Sequence, residues 1–354
     1  MKNNKQTILE KGKISTISIE RAENIDEQGN VLYLDERLLE RKESKFPKFK
    51  NSKRGLGVAN FLRKHIIYVS YKNKKLVHKL YHFVVKYAVW VKKGGLRGRT
   101  YKRLAKMYPD YKKPTSFITM PLNVDITDKG EKVVVPMDML KESLKGITFI
   151  GGMDHCICRE SNKCKDFPQD FGCLFLGEPG KHIIKHKLGR ELTYEEACER
   201  IEKAKALGLM AQAAWIEVEH WFWGIQNDQQ DKFLEICFCC PCCCVGLKLA
   251  RNSTEKEMHR FHPSGWTAVA NITKCVGCKL CIKGENTCPT NAISFDENNK
   301  IIIDQERCLG CGICKSKCKL DVIKIKQTMP MRKDLHEYFE KEYSLDLKLW
   351  EEKE

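Results

Sequence analysis

No apolar run in this 354-residue chain is long enough to cross a membrane. The longest, residues 80–91 (LYHFVVKYAVWV), falls short of the roughly 20 residues a span needs and is interrupted by Lys86. The opening stretch MKNNKQTILEKGKISTISIE lacks the apolar segment and small-residue cleavage site of a secretory signal. Phosphate-binding glycine loops are missing too. Neither Gly55-x-Gly57 nor Gly94-Gly95 has the third glycine and acidic partner of a dinucleotide site, and there is no P-loop. Nothing points to serine–histidine or paired-carboxylate catalysis. A disulfide framework is poorly served, because the 19 cysteines are odd in number and many are adjacent or one residue apart. These absences leave a reducing cytoplasm, with thiolates committed to metal, as the expected setting.

The chain divides by composition. Residues 1–55 are polar and mixed in charge, which predicts an N-terminal arm. Residues 56–120 are a basic amphipathic helical region in which Phe61, Leu62, Ile66, Val69, Leu76, Val77, Leu80, Val84 and Val91 recur at helical spacing. Residues 121–250 form a cysteine-rich metal-binding domain, with strands expected at 133–136 and 147–150. The clearest helix covers 192–209: Thr193 and Glu196 make a capping box, Ala197, Ile201 and Ala204 form one stripe, and Gly208 stops it. Residues 265–328 carry two cysteine strings, and 331–354 read as an acidic C-terminal helix.

The first string is Cys275-x2-Cys278-x2-Cys281, followed by Cys288-Pro289; the second is Cys308-x2-Cys311-x2-Cys314-x3-Cys318. C-x2-C-x2-C lets one tight loop offer three sulfurs to three corners of an iron–sulfur cubane, with Gly277, Gly310 and Gly312 permitting the turn. The fourth sulfur comes from the other string in this arrangement. Cluster one is therefore assigned to Cys275, Cys278, Cys281 and Cys318, and cluster two to Cys308, Cys311, Cys314 and Cys288. The segment Cys288-Pro-Thr-Asn-Ala-Ile-Ser-Phe295 parallels Cys318-Lys-Leu-Asp-Val-Ile-Lys-Ile325, an internal repeat. This region resembles the bacterial two-[4Fe–4S] ferredoxin family, which implies a pseudo-twofold (βαβ)2 module holding two [4Fe–4S] clusters. Two departures stand out: six residues separate Cys281 from Cys288 where the family has three, and Lys319 replaces the proline after the last cysteine. Paired zinc knuckles suit a triple string less well.

Upstream, Cys156-Ile-Cys158-Arg159 is followed by Cys164 and by Cys173-Leu-Phe-Leu-Gly177. The run Cys237-Phe-Cys239-Cys240-Pro-Cys242-Cys243-Cys244 then puts six sulfurs in eight residues. Thiolates at this density call for soft metal. Neighbours such as Cys239 and Cys240 project differently, so one or two further sites are expected, drawn from both groups: iron–sulfur clusters, or zinc holding the domain together. The order CxCR, Cys, CLxLG, Thr-x-Glu-Glu-Ala helix and CxCCxCCC resembles an anaerobe family of 4Fe–4S dicluster proteins. Its members are mostly named only as iron–sulfur proteins. Arg159 reads equally as a donor to cluster sulfides or as a surface ion-pair partner. His155 is a weak ligand candidate, and Cys198 reads as an ordinary buried thiol.

The formal charge is +17, but each oxidised four-thiolate cubane contributes about −2, which brings the chain to roughly +9 to +13. Residues 56–120 hold 16 Lys/Arg and one acid, Asp110. That segment suits an acidic redox partner or packing against its own domain; an anionic membrane surface is a further option, and nucleic acid is least supported because no binding motif accompanies the charge. The expected fold is α+β, a ferredoxin module appended to a helical, cysteine-rich domain. The expected function is single-electron transfer to or from a partner oxidoreductase of anaerobic metabolism, rather than stand-alone catalysis. A reductase working at the upstream cysteines and a redox-sensing nucleic-acid binder are the alternatives.

Overall fold

The computed structural model describes residues 95–96, 116–122, 136–185, 188–216, 219–220, 223, 225, 227–252, 261–284 and 286–328. The N-terminal arm, the C-terminal helix, residues 133–135 of the strand expected at 133–136 and nearly all of the basic region lie outside them; Pro136 begins a helix. No helix among the described residues is long and apolar enough to cross a membrane.

Content is mixed α and β, as expected, but the frame of the cysteine-rich half is a sheet. Seven strands in the order β4-β2-β3-β6-β5-β1-β7 make it up: β1 (Ser116–Met120), β2 (Ile150–Met153), β3 (Leu174–Leu176), β4 (Gly189–Glu191), β5 (Met210–Trp215), β6 (Leu234–Cys239) and β7 (Phe261–Pro263). All neighbours are antiparallel except β1 and β7, which run parallel. The expectation of a helical domain here is corrected. β2, β3 and β5 are buried on both faces, so their sequences, apart from Gln212, are uncharged and largely apolar instead of showing the period of two that marks a half-buried strand. β1 falls within the segment 56–120 that composition marks as basic, and it belongs to this sheet.

Helices α1 (Pro136–Ser143) and α4 (Tyr194–Ala206) cover one face; α2 (Ile157–Ser161) and α3 (Lys181–Ile184) are single turns between strands. α4 starts where expected. Thr193 Oγ1 accepts the Glu196 N–H at 3.2 Å, and Glu196 returns the bond to the Thr193 N–H at 3.0 Å. It ends before Gly208, at φ +70°, and buries Ala197, Ile201 and Ala204. With Leu140 of α1 and Leu144 just past its end, these side chains pack on Ile118, Met120, Leu174, Ala213 and Ile236 to form the main core. The opposite side of β1 and β5 offers Phe117, Met210 and Ala214 to Leu247 and Ala250 of α5 (Val245–Asn252). Two tryptophans serve packing: Trp215 lies in the main core, and Trp223 packs edge-on against Phe175 at 6.4 Å between ring centres.

Past Gly265 the chain enters a second unit of two short ladders. β8 (Trp266–Ala270) pairs with β11 (Ile323–Gln327), and β9 (Ile293–Phe295) with β10 (Ile301–Ile303), both antiparallel. A 3-10 turn at Leu280–Ile282 lies between β8 and β9, and α6 (Ile313–Lys317) lies between β10 and β11. Isoleucines 293, 301, 303, 323 and 325, with Trp266 and Val322, form the core of this unit around four of its cysteines.

Candidate metal centres

The two strings fold into loops that wrap two cavities. One is lined by Cys275, Cys278, Cys281 and Cys318, together with Val276, Leu280, Phe295 and Leu320. The other is lined by Cys288, Cys308, Cys311 and Cys314, with Pro289, Ala292, Leu309 and Gly310. Each string therefore gives three sulfurs to its own cavity and one to the other. The loops turn through left-handed residues at Gly277, Gly310 and Gly312, with φ of +70°, +64° and +82°. Backbone N–H groups of Ala268 and Ala292 reach Cys308 Sγ at 3.4 Å and Cys288 Sγ at 3.3 Å. Burial, ahead of neighbouring thiols, pushes the Cys311 and Cys314 thiols well above the ordinary range. Iron bound in the cavity would reverse that order, because a coordinated thiol is deprotonated outright.

The two cavities differ in exposure. Cys278 is exposed, and around it Val276 (69% exposed), Leu320 (49%) and Ile282 (38%) face solvent beside exposed Lys274, Lys283 and Lys319. The second cavity looks inward: Leu309, Ile313 and Cys311 pack in one apolar group with Cys237, Cys239 and Cys244. The long loop after Cys281 ties the halves together, since Asn286 Nδ2 donates to Asp166 Oδ2 at 3.0 Å. Arg307 does the same from the second string, reaching Thr290 O at 2.8 Å and Ala250 O at 3.4 Å.

At Gly310 an added Cβ would lie 1.8 Å from the carbonyl oxygen of Trp266, backbone that cannot yield without moving β8. Gly284 is equally left-handed, at φ +86°, but nothing lies within 4 Å of its Cβ position. Gly310→Ala is expected to cost the chain one cubane, about four iron and four sulfide, while Gly284→Ala keeps both. Iron and sulfide assays on the two purified variants check this.

The upstream cysteines separate by strand pleat. Glu235, Cys237 and Cys239 alternate along β6 with Ile236, Phe238 and then Cys240, and successive side chains point to opposite faces. Cys240, Cys242 and Cys243 join Cys164 in the main core, with all four sulfurs within 4.8 Å of one another. Cys164 and Cys242 are 3.8 Å apart. On the other side, Cys173 Sγ lies 3.1 Å from Cys237 Sγ, and Cys244 Sγ lies 3.1 Å from Cys239 Sγ. Cys158 interacts with both Cys156 and Cys244, so these six thiols form a second, extended group. Cys237 is pushed well above the ordinary thiol range by Cys173 and Cys239, then by burial. Cys173 is raised to about 11: its thiol contact with Cys237 acts in the opposite direction, but burial and Glu235 outweigh it.

Sequence reasoning missed three polar residues of this region. Gln212 Oε1 accepts from Cys239 Sγ at 3.2 Å, and its Nε2 donates to Thr119 Oγ1 at 3.2 Å. Glu235 Oε1 accepts from Cys237 Sγ at 2.9 Å. Asn162 Nδ2 donates to Cys158 O at 2.8 Å and to Cys243 O at 3.2 Å. The signal for the first two was a lone polar residue inside an apolar strand, MAQAAW and LEICFC. Arg159 is not the surface ion-pair partner that was one of its two expected roles. It is fully buried and donates to the carbonyls of Pro168 (2.7 Å), Phe238 (2.8 Å) and Phe171. Burial alone would lower its pKa, yet charge on Cys156, Cys240, Cys173 and Cys239 leaves it raised. His155 is exposed, and Cys198 sits half-buried on α4 beside Tyr194.

Two adjoining four-sulfur cavities place the C-terminal unit among iron–sulfur electron-transfer proteins. The family described as 4Fe-4S dicluster domain matches residues 274–322. An uncharacterized ferredoxin of Methanocaldococcus jannaschii is 36% identical over 69 residues, which cover 19% of this chain and 86% of that protein. The chain belongs to this ferredoxin family. The pyruvate synthase subunit PorD of the same organism is 42% identical over 50 residues, 14% of this chain and 55% of the subunit. A protein of Escherichia coli named as an oxidoreductase, UacF, is 26% identical over 107 residues. That match covers 28% of this chain and 16% of UacF, so the chain spans about half or less of these last two relatives. No solved structure matches the chain.

Proposed function

We propose that the chain relays single electrons between a redox partner and its own buried thiolate centre, through two [4Fe–4S] clusters in a pseudo-twofold module. Cluster one takes Cys275, Cys278, Cys281 and Cys318; cluster two takes Cys288, Cys308, Cys311 and Cys314. The observation that carries this reading is the pair of four-cysteine cavities, one opening beside exposed Cys278 and the other packed against Cys237, Cys239 and Cys244. Electrons would enter or leave at cluster one and pass inward through cluster two. The partner is acidic, because the apolar patch of Val276, Ile282 and Leu320 is bordered by lysines, and complementary charge speeds productive encounter. The setting is the reducing cytoplasm of anaerobic metabolism, and the partner is itself an oxidoreductase or an oxidoreductase subunit, as the names of UacF and PorD suggest.

Stopped-flow reduction by an acidic ferredoxin, run without oxygen, tests this. Lys274→Glu, Lys283→Glu and Lys319→Glu together are expected to slow the second-order rate about tenfold at low salt, with the difference shrinking as salt rises. The control Lys205→Glu leaves the rate unchanged. A rate indifferent to the three charges would overturn the docking face. One observation favours a second reading, reductase chemistry at the upstream thiols: Glu235 places a buried carboxylate against Cys237. A substrate-dependent change in the EPR spectrum would select it.

A further inference from the structure

The upstream thiols do not form one undifferentiated metal depot, and their spacing separates them by chemistry. We propose that Cys164, Cys240, Cys242 and Cys243 bind a single zinc or iron ion in a closed tetrathiolate site that contains no inorganic sulfide. This goes beyond the electron-relay reading and does not depend on it.

Four thiolates on one tetrahedral ion with metal–sulfur bonds near 2.3 Å lie about 3.8 Å from one another. The four sulfurs of this quartet all lie within 4.8 Å of each other, and Cys164 and Cys242 are 3.8 Å apart. A cubane puts each thiolate on a different iron, so its ligands must stand further apart. The chain supplies that comparison itself. The eight cysteines of the ferredoxin module form no such tight group, although all eight are among the described residues.

The surroundings agree with a closed site. All four cysteines are buried, which suits a structural ion better than a catalytic one that keeps an open position. They lie in the main core with Phe171 and Phe238, while the sulfurs that meet the ferredoxin module lie in a separate apolar group. The ion is thus off the electron path. Four thiolates on a divalent ion leave a net charge of about −2, and fully buried Arg159 lies close enough to Cys240 to offset part of it. Binding releases thiol protons to solvent and joins Cys164 to the turn that leads from β6 into α5, closing a long loop.

The experiment compares iron, zinc and acid-labile sulfide in the full chain purified without oxygen. Cubanes contribute iron and sulfide equally, so the quartet adds metal without sulfide. Cys164→Ser combined with Cys243→Ser is expected to remove about one metal ion per chain while sulfide stays constant. X-ray absorption on the unaltered chain covers the case in which that variant does not fold. At the zinc edge it is expected to give sulfur-only coordination near 2.3 Å, and where the ion is iron the unaltered chain is expected to carry about one iron more than sulfide. If zinc is present, its spectrum has no metal–metal scattering. Loss of equal iron and sulfide, about four of each, would show a cubane in the quartet and overturn the proposal. So would a sulfide content that already equals the total metal in the unaltered chain.

Discussion

Cys318→Ala combined with Cys275→Ala is expected to cost the chain no more iron than either change alone, about four atoms. Cys318→Ala combined with Cys308→Ala is expected to cost about eight. The difference arises because Cys318 follows the second string in sequence but lines the cavity of the first, and Cys288 does the reverse. Two residues that serve one cluster cannot destroy it twice, whereas residues of different clusters act independently. If each string instead kept its own fourth cysteine, the pattern would invert: Cys318 with Cys308 would cost one cluster, and Cys318 with Cys275 two. Iron and sulfide counts on four purified variants separate these outcomes without any assay of activity. The same logic applied to Cys288 provides an internal repeat of the test.

The second large effect is expected at Arg159. Its guanidinium joins α2 to the loop through Pro168 and Phe171 and to β6 at Phe238, and it is fully buried. Arg159→Leu removes the donors to three carbonyls, and each buried group left without a partner costs about 1–3 kcal/mol. It also strips the positive charge that faces Cys156, Cys240, Cys173 and Cys239. The combined loss is comparable with the whole stability of an ordinary domain, about 5–15 kcal/mol. The variant should therefore collect in the insoluble fraction or come out without its upstream metal, while the ferredoxin module keeps its iron. Arg159→Lys keeps the charge but not the planar fork, and is expected to fall between the two. An Arg159→Leu chain that melts within a degree or two of the unaltered protein, with full metal content, would show that this contact is dispensable.

What could be read in advance follows from how local each signal is. The ferredoxin strings and the Thr193 capping box are written within a dozen residues, so spacing alone located them. Of the described strands of the seven-stranded sheet one was foreseen, at 147–150, and β2 begins at its last residue, Ile150; the rest of the sheet was hidden for a physical reason. β3 and β4 are three residues long, β2 reads Ile-Gly-Gly-Met, and β5 is buried on both faces, so none shows a period of two. The division of the Cys237–Cys244 run was half legible. That adjacent Cys239 and Cys240 would part company follows from side-chain direction, and they do, one beside Gln212 and the other in the quartet. Which distant cysteine each would meet depended on the sheet: Cys164 joins the quartet from 78 residues before Cys242, and Cys173 meets Cys237 across β3 and β6. Arg159 reads equally as a donor to cluster sulfides and as a surface ion-pair partner, and only the tertiary fold supplies the three carbonyls that bury it. The loop between Cys281 and Cys288 is longer than the family spacing, and through Asn286 it tethers the module to Asp166.

EPR of the oxygen-free, chemically reduced full chain tests the central claim most directly. Two reduced cubanes in adjoining cavities are expected to give a spectrum broadened by magnetic coupling, which Gly310→Ala should simplify to the signal of one isolated cluster. A colourless, iron-poor preparation, or an unaltered chain that already shows one uncoupled cluster, would contradict it.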